Sequence, residues 1–434
     1  MTTNKALEVH NITKFKLHSN YGKDLSLLGE GAFSHVLIFQ SIYDHSVRAT
    51  FEMFDSGIRQ EEKKTKSIEE TESFNLTAGE KVELVIEDER KQKLEFIEGR
   101  VFTISEVKTS MTNTMKENFK IEMCLNDYIK NELEENFVVK RFDQKISATA
   151  NEVLSTITER PVFVDSTVTE LPIKGCTERP FDFVTTLCPK AQPEKFPTSA
   201  GYLLFDTYNG LNFRSIDVMF SQEPKRRMIL NETPRLPPGY SNKILNVEFS
   251  NTMNVLDSLR YGALQNDKMR TLDPNYHTYA QNNHNSDSLY LGDNNLKDVK
   301  PVVGDHLQLP TKSSRVINQI RNTGVHPPGE DLDAQLPFAQ EPTFDHDTIP
   351  QLAIKRYYQS RLYTVNIKLY GDFGIFPGDV VYCDFPEISA EQTSKKISKK
   401  KSGKYLVADV AHLICPEGCY TKLNMIRDSI VEEE

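Results

Sequence analysis

Apolar and polar residues alternate along both ends of the chain, and a helical period appears only in its middle. From Val36 to Asp55, first Val36, Ile38 and Ile42, then Ala49, Phe51 and Met53, recur at roughly alternate positions with no helix cap ahead of them. That spacing predicts two strands. Residues 58–73 read as a charged loop, after which alternation at Lys81–Glu87, Lys93–Val107 and Phe119–Leu125 predicts three more strands of one antiparallel β domain. In the middle, Thr149-Ala-Asn-Glu152 reads as a capping box, opening a helix with Ala150, Val153, Leu154 and Ile157 on its apolar face and Pro161 just beyond its end. Pro180 suits a first helical position, and the short helix it opens buries Phe181, Val184 and Leu187. Tyr202–Asp217 predicts a hairpin in which Asn209-Gly210 supplies the two positive φ angles of a type I′ turn.

Beyond a proline-rich link from Pro224 to Pro238, Ile244–Ser250 predicts a strand and Met253–Tyr261 a helix ending near Gly262. Residues 275–345 are polar, with little to build a core apart from Arg315–Arg321. Regularity returns with a helix around Ile349–Tyr358 and strands at Leu362–Leu369, Val380–Phe385, Tyr405–Val410 and Tyr420–Arg427. The fold class is α+β, predominantly β, in four stretches. Residues 1–140 form a first β domain, and 141–243 an inserted α+β domain with the Asn-Gly hairpin. Residues 244–348 form a strand-helix segment followed by the long polar insertion, and 349–434 a second β domain.

The two ends resemble each other. Leu76-Thr-Ala-Gly79-Glu80-Lys-Val82 parallels Ile375-Phe-Pro-Gly378-Asp379-Val-Val381 as a turn glycine, an acid and then alternation. Gly99-Arg-Val101 then parallels Gly403-Lys-Tyr405, and Phe119–Asp127 parallels Thr421–Asp428, all at an offset of roughly 300 residues. One β domain present twice, with other material inserted, is the reading these matches give. It pairs Gly79 with Gly378 and Gly99 with Gly403.

The same residues resemble a family. Gly378-Asp379-Val-Val381, Ser402-Gly403-Lys404-Tyr405 and Tyr420–Asp428 look like the closing domain of the central baseplate hub protein of contractile-tailed, T-even-type bacteriophages, a fold also similar to the hub part of type VI secretion spike proteins. Arg179-Pro-Phe-Asp182, Tyr202–Asp217, Val247-Glu-Phe249 and Arg270-Thr-Leu-Asp273 are similar too, whereas 275–345 departs. The resemblance implies tail-tube-type β domains flanking an α+β middle and a homotrimeric ring without enzymatic activity or cofactor. That ring would adapt a six-fold tail tube to a three-fold central spike and pass DNA through its lumen. The implied partners are the central spike protein, the tail tube protein, and baseplate wedge and tape-measure proteins. The implied location is the virion tail baseplate, assembled in the host cytoplasm. A wall-degrading tail enzyme and a peripheral receptor-binding tail protein are the alternatives.

Charge and chemistry agree with a structural part. Lys plus Arg number 52 against 62 Asp plus Glu, giving −10, so tight grip on nucleic acid phosphates is not expected, and DNA should transit without being held. No apolar run of about 20 residues suggests membrane insertion. Six cysteines in 434 residues do not make a disulfide scaffold. The sequence carries no nucleophile elbow, dinucleotide fingerprint, Walker loop or His-Glu-x-x-His helix, and its acids lie in solvated runs such as Glu87-Asp-Glu89. His412 with Cys415 and Cys419 lacks the second ligand pair of a zinc site, so Pro416 and Gly418 read as a tight turn; His277, His284, His306, His326 and His346 scatter without ligand spacing. One basic run, containing Lys395, Lys396, Lys399, Lys400, Lys401 and Lys404, is either a solvated turn or a contact loop for an acidic neighbour or passing DNA.

Overall fold

A computed structural model describes residues 11–20, 24–26, 33–55, 76–88, 90–111, 114–168, 170–231, 235–251, 267–273, 278–284, 315–320, 349–387, 397–415 and 418–428. The expected loop at 58–73 and helix at 253–261 lie outside them, as do His277, His306, His326 and His346.

The N-terminal strands are β1 (Asn11–His18), β2 (Asp24–Ser26), β3 (Phe33–Ser41), β4 (Arg48–Asp55), β5 (Lys81–Glu87), β6 (Lys93–Met111) and β7 (Thr114–Leu125). They pair antiparallel in the order β3-β4-β7-β6-β5-β1-β2. Alternation does the sorting: in β1, Phe15 and Leu17 are fully buried between the outward Lys14 and Lys16. Their core includes Val36, Ile38, Phe51, Leu84, Phe96 and Ile121.

The middle holds α1 (Asn126–Asn131), β8 (Arg141–Lys145), α2 (Ile146–Ile157), β9 (Val162–Val164), β10 (Glu170–Lys174), α3 (Pro180–Leu187), β11 (Tyr202–Thr207), β12 (Gly210–Ser215) and α4 (Ile216–Phe220). Pro180 does open α3 with Phe181, Val184 and Leu187 buried, whereas the expected capping box is not made. The helix α2 begins four residues earlier, at Ile146, because Thr167 Oγ1 accepts the first-turn N–H of Ser147 at 3.0 Å and does the capping from outside the helix. Glu152 instead accepts from Lys140 and Gln144. The hairpin β11–β12 forms as expected, but Thr207 pairs with Gly210, so its turn residues are Tyr208 and Asn209, and Gly210 lies within the ladder at φ +145°. The glycine is needed there for room. Leu211 N–H donates to Pro161 O at 3.1 Å, and a Cβ on Gly210 would stand 2.1 Å from that oxygen.

The C-terminal elements are β13 (Arg226–Leu230), β14 (Asn242–Asn251), β15 (Asp267–Asp273), β16 (Thr278–His284), β17 (Arg315–Ile320), α5 (Ile349–Gln359), β18 (Tyr363–Tyr370), β19 (Val380–Asp384), β20 (Gly403–Cys415) and β21 (Gly418–Arg427). The order β19-β13-β14-β18-β21-β20, with β20 pairing back to β19, closes a six-stranded barrel. β13 arises inside the expected proline-rich link, where Met228 fills the barrel core and parallel partners flank the strand on both sides. The polar stretch is also more regular than expected, since β15 pairs β16 antiparallel and β17 parallel. α5 packs Ile349 and Ala353 into the core of the middle, so a boundary at 348/349 divides residues that share one core, and a boundary at 243/244 parts β13 from its barrel.

Strands β14-β18-β21-β20-β19 follow the same order of antiparallel neighbours as β3-β4-β7-β6-β5. The turn before β5 and that before β19 share their bonding. Glu80 Oε1 accepts from Thr77 N at 2.7 Å and Asp379 Oδ2 from Phe376 N at 2.9 Å, Gly79 and Gly378 have φ +89° and +87°, and their N–H groups reach Val101 O and Val407 O at 2.7 and 2.8 Å. Each acid ties down a turn whose glycine takes an angle that other residues resist. Register shifts fall at Val101/Thr103 against β7 and Val407/Asp409 against β21. Gly99, opposite Val82, therefore has Tyr405, opposite Val381, as its counterpart, and Gly403 stands two residues away opposite Cys383. The expected equivalence of Gly99 and Gly403 is corrected by these pairings.

Candidate assembly surfaces

The two β units are joined through one shared strand. β20 pairs with β19 over Gly403–Leu406 and, after its bulge, with β3 over Asp409–Ile414. Ser41 Oγ donates to Asp409 Oδ1 at 2.5 Å across this seam. Its outward side carries Leu37 and Phe39, each more than a third exposed, opposite the half-buried Leu413 and Ala411.

Beneath the seam a carboxylate gathers both units. Asp372, fully buried after β18, receives Arg90 of the β5–β6 turn at 2.6 Å, Arg226 of β13 at 3.2 Å, Asn242 of β14 at 2.7 Å and the backbone N–H of Gly374 at 3.0 Å. Burial alone would raise its pKa, but the Asn242 hydrogen bond and the charges of Arg90 and Arg226 outweigh that and hold it below the ordinary carboxylate range. Asp88 adds to the dock by accepting Phe373 N–H at 3.3 Å. Two further clusters hold the middle, the first within it and the second across to the barrel. Arg160 spans Asp127, at 2.7 Å, and Asp206, at 3.0 Å. Arg356 of α5 spans Asp217, at 2.6 Å, and Asp428 at the end of β21, at 2.9 Å. Ion pairs this buried fix relative placement more than they add stability.

His412 sits in the same seam, fully buried, with Phe373 edge-on at 5.0 Å. The Thr421 hydroxyl accepts the Asp372 N–H and lies within hydrogen-bond distance of His412 Nδ1, at 3.0 Å, while Nε2 has no partner among the described residues. Burial lowers the imidazole pKa to about 4, against the weaker opposing charge of Asp372. Since the unfolded chain binds the proton near pH 6.5, stability falls as pH drops from about 6.5 to about 4, by about 3 kcal/mol for this group. Denaturant midpoints measured between pH 7 and 4 should show that slope, and His412→Phe should flatten it; an unchanged slope would exclude His412 as its source.

The basic run is partly engaged within the chain. Lys395 and Lys396 lie outside the described residues, while Lys399, Lys400 and Lys401 occupy a turn closed by Ser402 N–H donating to Ser398 O at 2.9 Å. Arg427, buried between the rings of Tyr405 and Tyr363, donates to Lys400 O at 2.9 Å, and the Tyr405 hydroxyl donates to Lys401 O. The Lys401 ammonium lies 4.6 Å from the Phe249 ring and Lys404 3.8 Å from Glu223. Nothing in the local sequence marks Arg427 or Asp372 as anchors, because each acts on residues far away in the chain. The expected tight turn after His412 is present to the extent that Cys415 pairs with Gly418.

A cavity of about 360 Å³ lies between the β3–β4 connection, α3 and α5, lined by Tyr43, His45, Thr185, Cys188, Tyr357 and Arg361 among others. Arg361 stacks 3.7 Å from the Tyr43 ring. Burial pushes the Cys188 thiol up to about 12, so this cavity offers no thiolate near neutral pH. Among the described residues no group of three His, Cys, Asp or Glu could hold a metal ion, and no helix is long and apolar enough to cross a membrane.

No family description matches the chain, and no curated protein sequence matches it. Solved structures do. The 43 kDa tail protein of prophage MuSo2 from Shewanella oneidensis matches with TM-score 0.48 and 12% identity over 96% of this chain and 98% of that one. The E. coli c3393 protein, a component of the type VI secretion system, matches with TM-score 0.41 and 7% identity over 96% and 77%. The tail protein from Neisseria meningitidis MC58 matches with TM-score 0.50 and 11% identity over 96% and 97%, so this chain has the fold of that tail protein over nearly the whole of both.

Proposed function

We propose that the chain is a structural hub of a contractile phage tail, acting as a homotrimeric ring at the baseplate between the tail tube and the central spike. The observation that carries this reading is the pair of β units with one strand order and one turn chemistry around Gly79 and Gly378. Read as tube-type domains duplicated in one chain, they give three copies six related surfaces toward a six-fold tube, while the unrepeated middle stays three-fold toward a spike. The fold shared with a bacterial tail protein supports the setting. In it, spike, tube, wedge and tape-measure proteins are the partners, and the virion tail, assembled in the host cytoplasm, is the location. The chain works by shape and charge without catalysis or cofactor, and the basic run, with Lys399 and Lys400 exposed, is a contact for an acidic neighbour.

DNA would cross the lumen unheld, because each copy brings a net charge of −10. Light scattering of the full chain, alone and with its assembly partners, should report three copies, and gel shift at physiological salt should show no complex with duplex DNA. A monomer under every condition would overturn the ring. Submicromolar, salt-sensitive DNA binding would overturn the free passage.

A further inference from the structure

The cavity between the β3–β4 connection, α3 and α5 takes no part in the assembly surfaces described above. Its volume of about 360 Å³ lies within the range of about 300–1,000 Å³ over which pockets bury a small ligand. Its inner wall is apolar, with Ile42, Leu203, Leu204 and Ile216 beside the rings of Tyr202 and Tyr357. Polar groups along that wall are already engaged within the chain: the Tyr357 hydroxyl donates to Tyr202 O at 2.7 Å, the Ser360 hydroxyl to Tyr357 O at 2.9 Å and the Thr185 hydroxyl to Phe181 O at 2.6 Å. Whatever enters must bring an apolar group to this wall.

The rim carries different chemistry. Arg361, exposed just beyond α5, lies over the Tyr43 ring at 3.7 Å, and among the described residues no carboxylate pairs with it. None of the described residues lining the cavity is an Asp or Glu. The acids whose charge reaches the rim stand outside the lining: Asp44 pairs with Arg48 at 3.0 Å, Asp409 accepts from Ser41 and Asn424, and Asp182 is exposed in the first turn of α3. Burial lowers the His45 pKa, so near neutral pH the lining holds one full charge, and it is positive. Backbone is available as well. β11 is an edge strand of its three-stranded sheet. On the side away from β12, Asp206 N–H donates to Asp44 O at 3.2 Å and Tyr202 O accepts from Tyr357, so Leu204, two residues from each, turns its backbone groups to that same edge. The Leu204 carbonyl has no donor there among the described residues.

We infer that this cavity seats the C-terminal residue of a partner protein, with its apolar side chain against the inner wall, its carboxylate on Arg361 and its extended backbone along the Leu204 edge. The last residue of a chain brings all three features together, whereas a fatty acid brings only the first two. The inference rests on the hub reading for the partner being another protein of the assembly.

Titration calorimetry of the full chain with an N-acetylated pentapeptide ending in leucine tests the site. The free acid should bind at least about tenfold more tightly than the C-terminal amide, which cannot form the charge-assisted pair with Arg361. A peptide ending in glycine should bind at least about tenfold more weakly, since it leaves the apolar wall uncovered. Arg361→Gln, at an exposed position, should leave the melting temperature in place and bring the acid down to the level of the amide. Acid and amide binding alike, an acid preference that survives Arg361→Gln, or no binding at millimolar peptide would each overturn the inference. Decanoate binding as tightly as the peptide would overturn it too, assigning the cavity to a free carboxylate amphiphile. A trimer that ignores the peptide overturns the cavity's role alone, and a monomer that binds the acid through Arg361 overturns the ring alone.

Discussion

Asp372→Ala is expected to cost about 3–5 kcal/mol and to separate the melting of the two β units. Asp372 is fully buried and receives Arg90 from the N-terminal unit and Arg226 and Asn242 from the barrel. Removing the carboxylate leaves Arg226, mostly buried, without its counter-charge, and removes the only group that both arginines share among the described contacts. The barrel keeps a core of its own, while the N-terminal core also takes in Phe373, Ile414 and Cys419 from the C-terminal side, so the loss falls on the docking of the two units. Calorimetry should replace one cooperative transition by two at lower temperature. A single transition with an unchanged midpoint would mean that the β3–β20 ladder and the packing of Phe373, Ile414 and Cys419 hold the units without the carboxylate.

Gly210→Ala should cost about 2–4 kcal/mol, combining backbone strain with overpacking. The new methyl would meet Pro161 O at 2.1 Å, and that oxygen is held by Leu211 N–H, so neither side can retreat cheaply. β9 pairs with β12 just beyond this point, so the loss should spread to the Val162–Val164 ladder. Chemical denaturation reads the cost, and amide exchange at Phe163 and Val164 reads its location. Asn209→Ala, at the turn, should cost less than 1 kcal/mol, since Asn209 has no positive φ to defend. Equal losses at the two sites would restore the Asn-Gly turn that the sequence suggests.

Long alternating strands were legible from sequence because their inward residues are large and their neighbours are close along the chain. β5 begins and ends where its pattern does, and β3, β4, α3 and α5 fall where expected. β1 lies outside the predicted strands although Phe15 and Leu17 alternate with lysines, a signal the pattern does contain. β13 could not be read that way: five residues between prolines become a strand only because β14 and β19 flank them. The misplaced α2 start shows the same limit, since the capping hydroxyl of Thr167 lies twenty residues downstream. The acid of the Gly-acid turn was visible and its partner was local, whereas Asp372 and Arg427 have partners that only the closed barrel brings near. The basic loop was found, but its anchoring by Arg427 from inside the barrel was not readable.

The β3–β20 seam also sets an order of events during synthesis. Val36–Ser41 leave the ribosome some 370 residues before Asp409–Ile414, the strand that will cover their edge. At about 5–20 residues per second, β3 waits on the order of tens of seconds with its edge bare and Leu37 and Phe39 beside it. A nascent chain stopped before Gly403 would carry that sticky edge permanently, so premature termination late in translation should yield aggregates, and chaperone demand should peak in the last tenth of elongation.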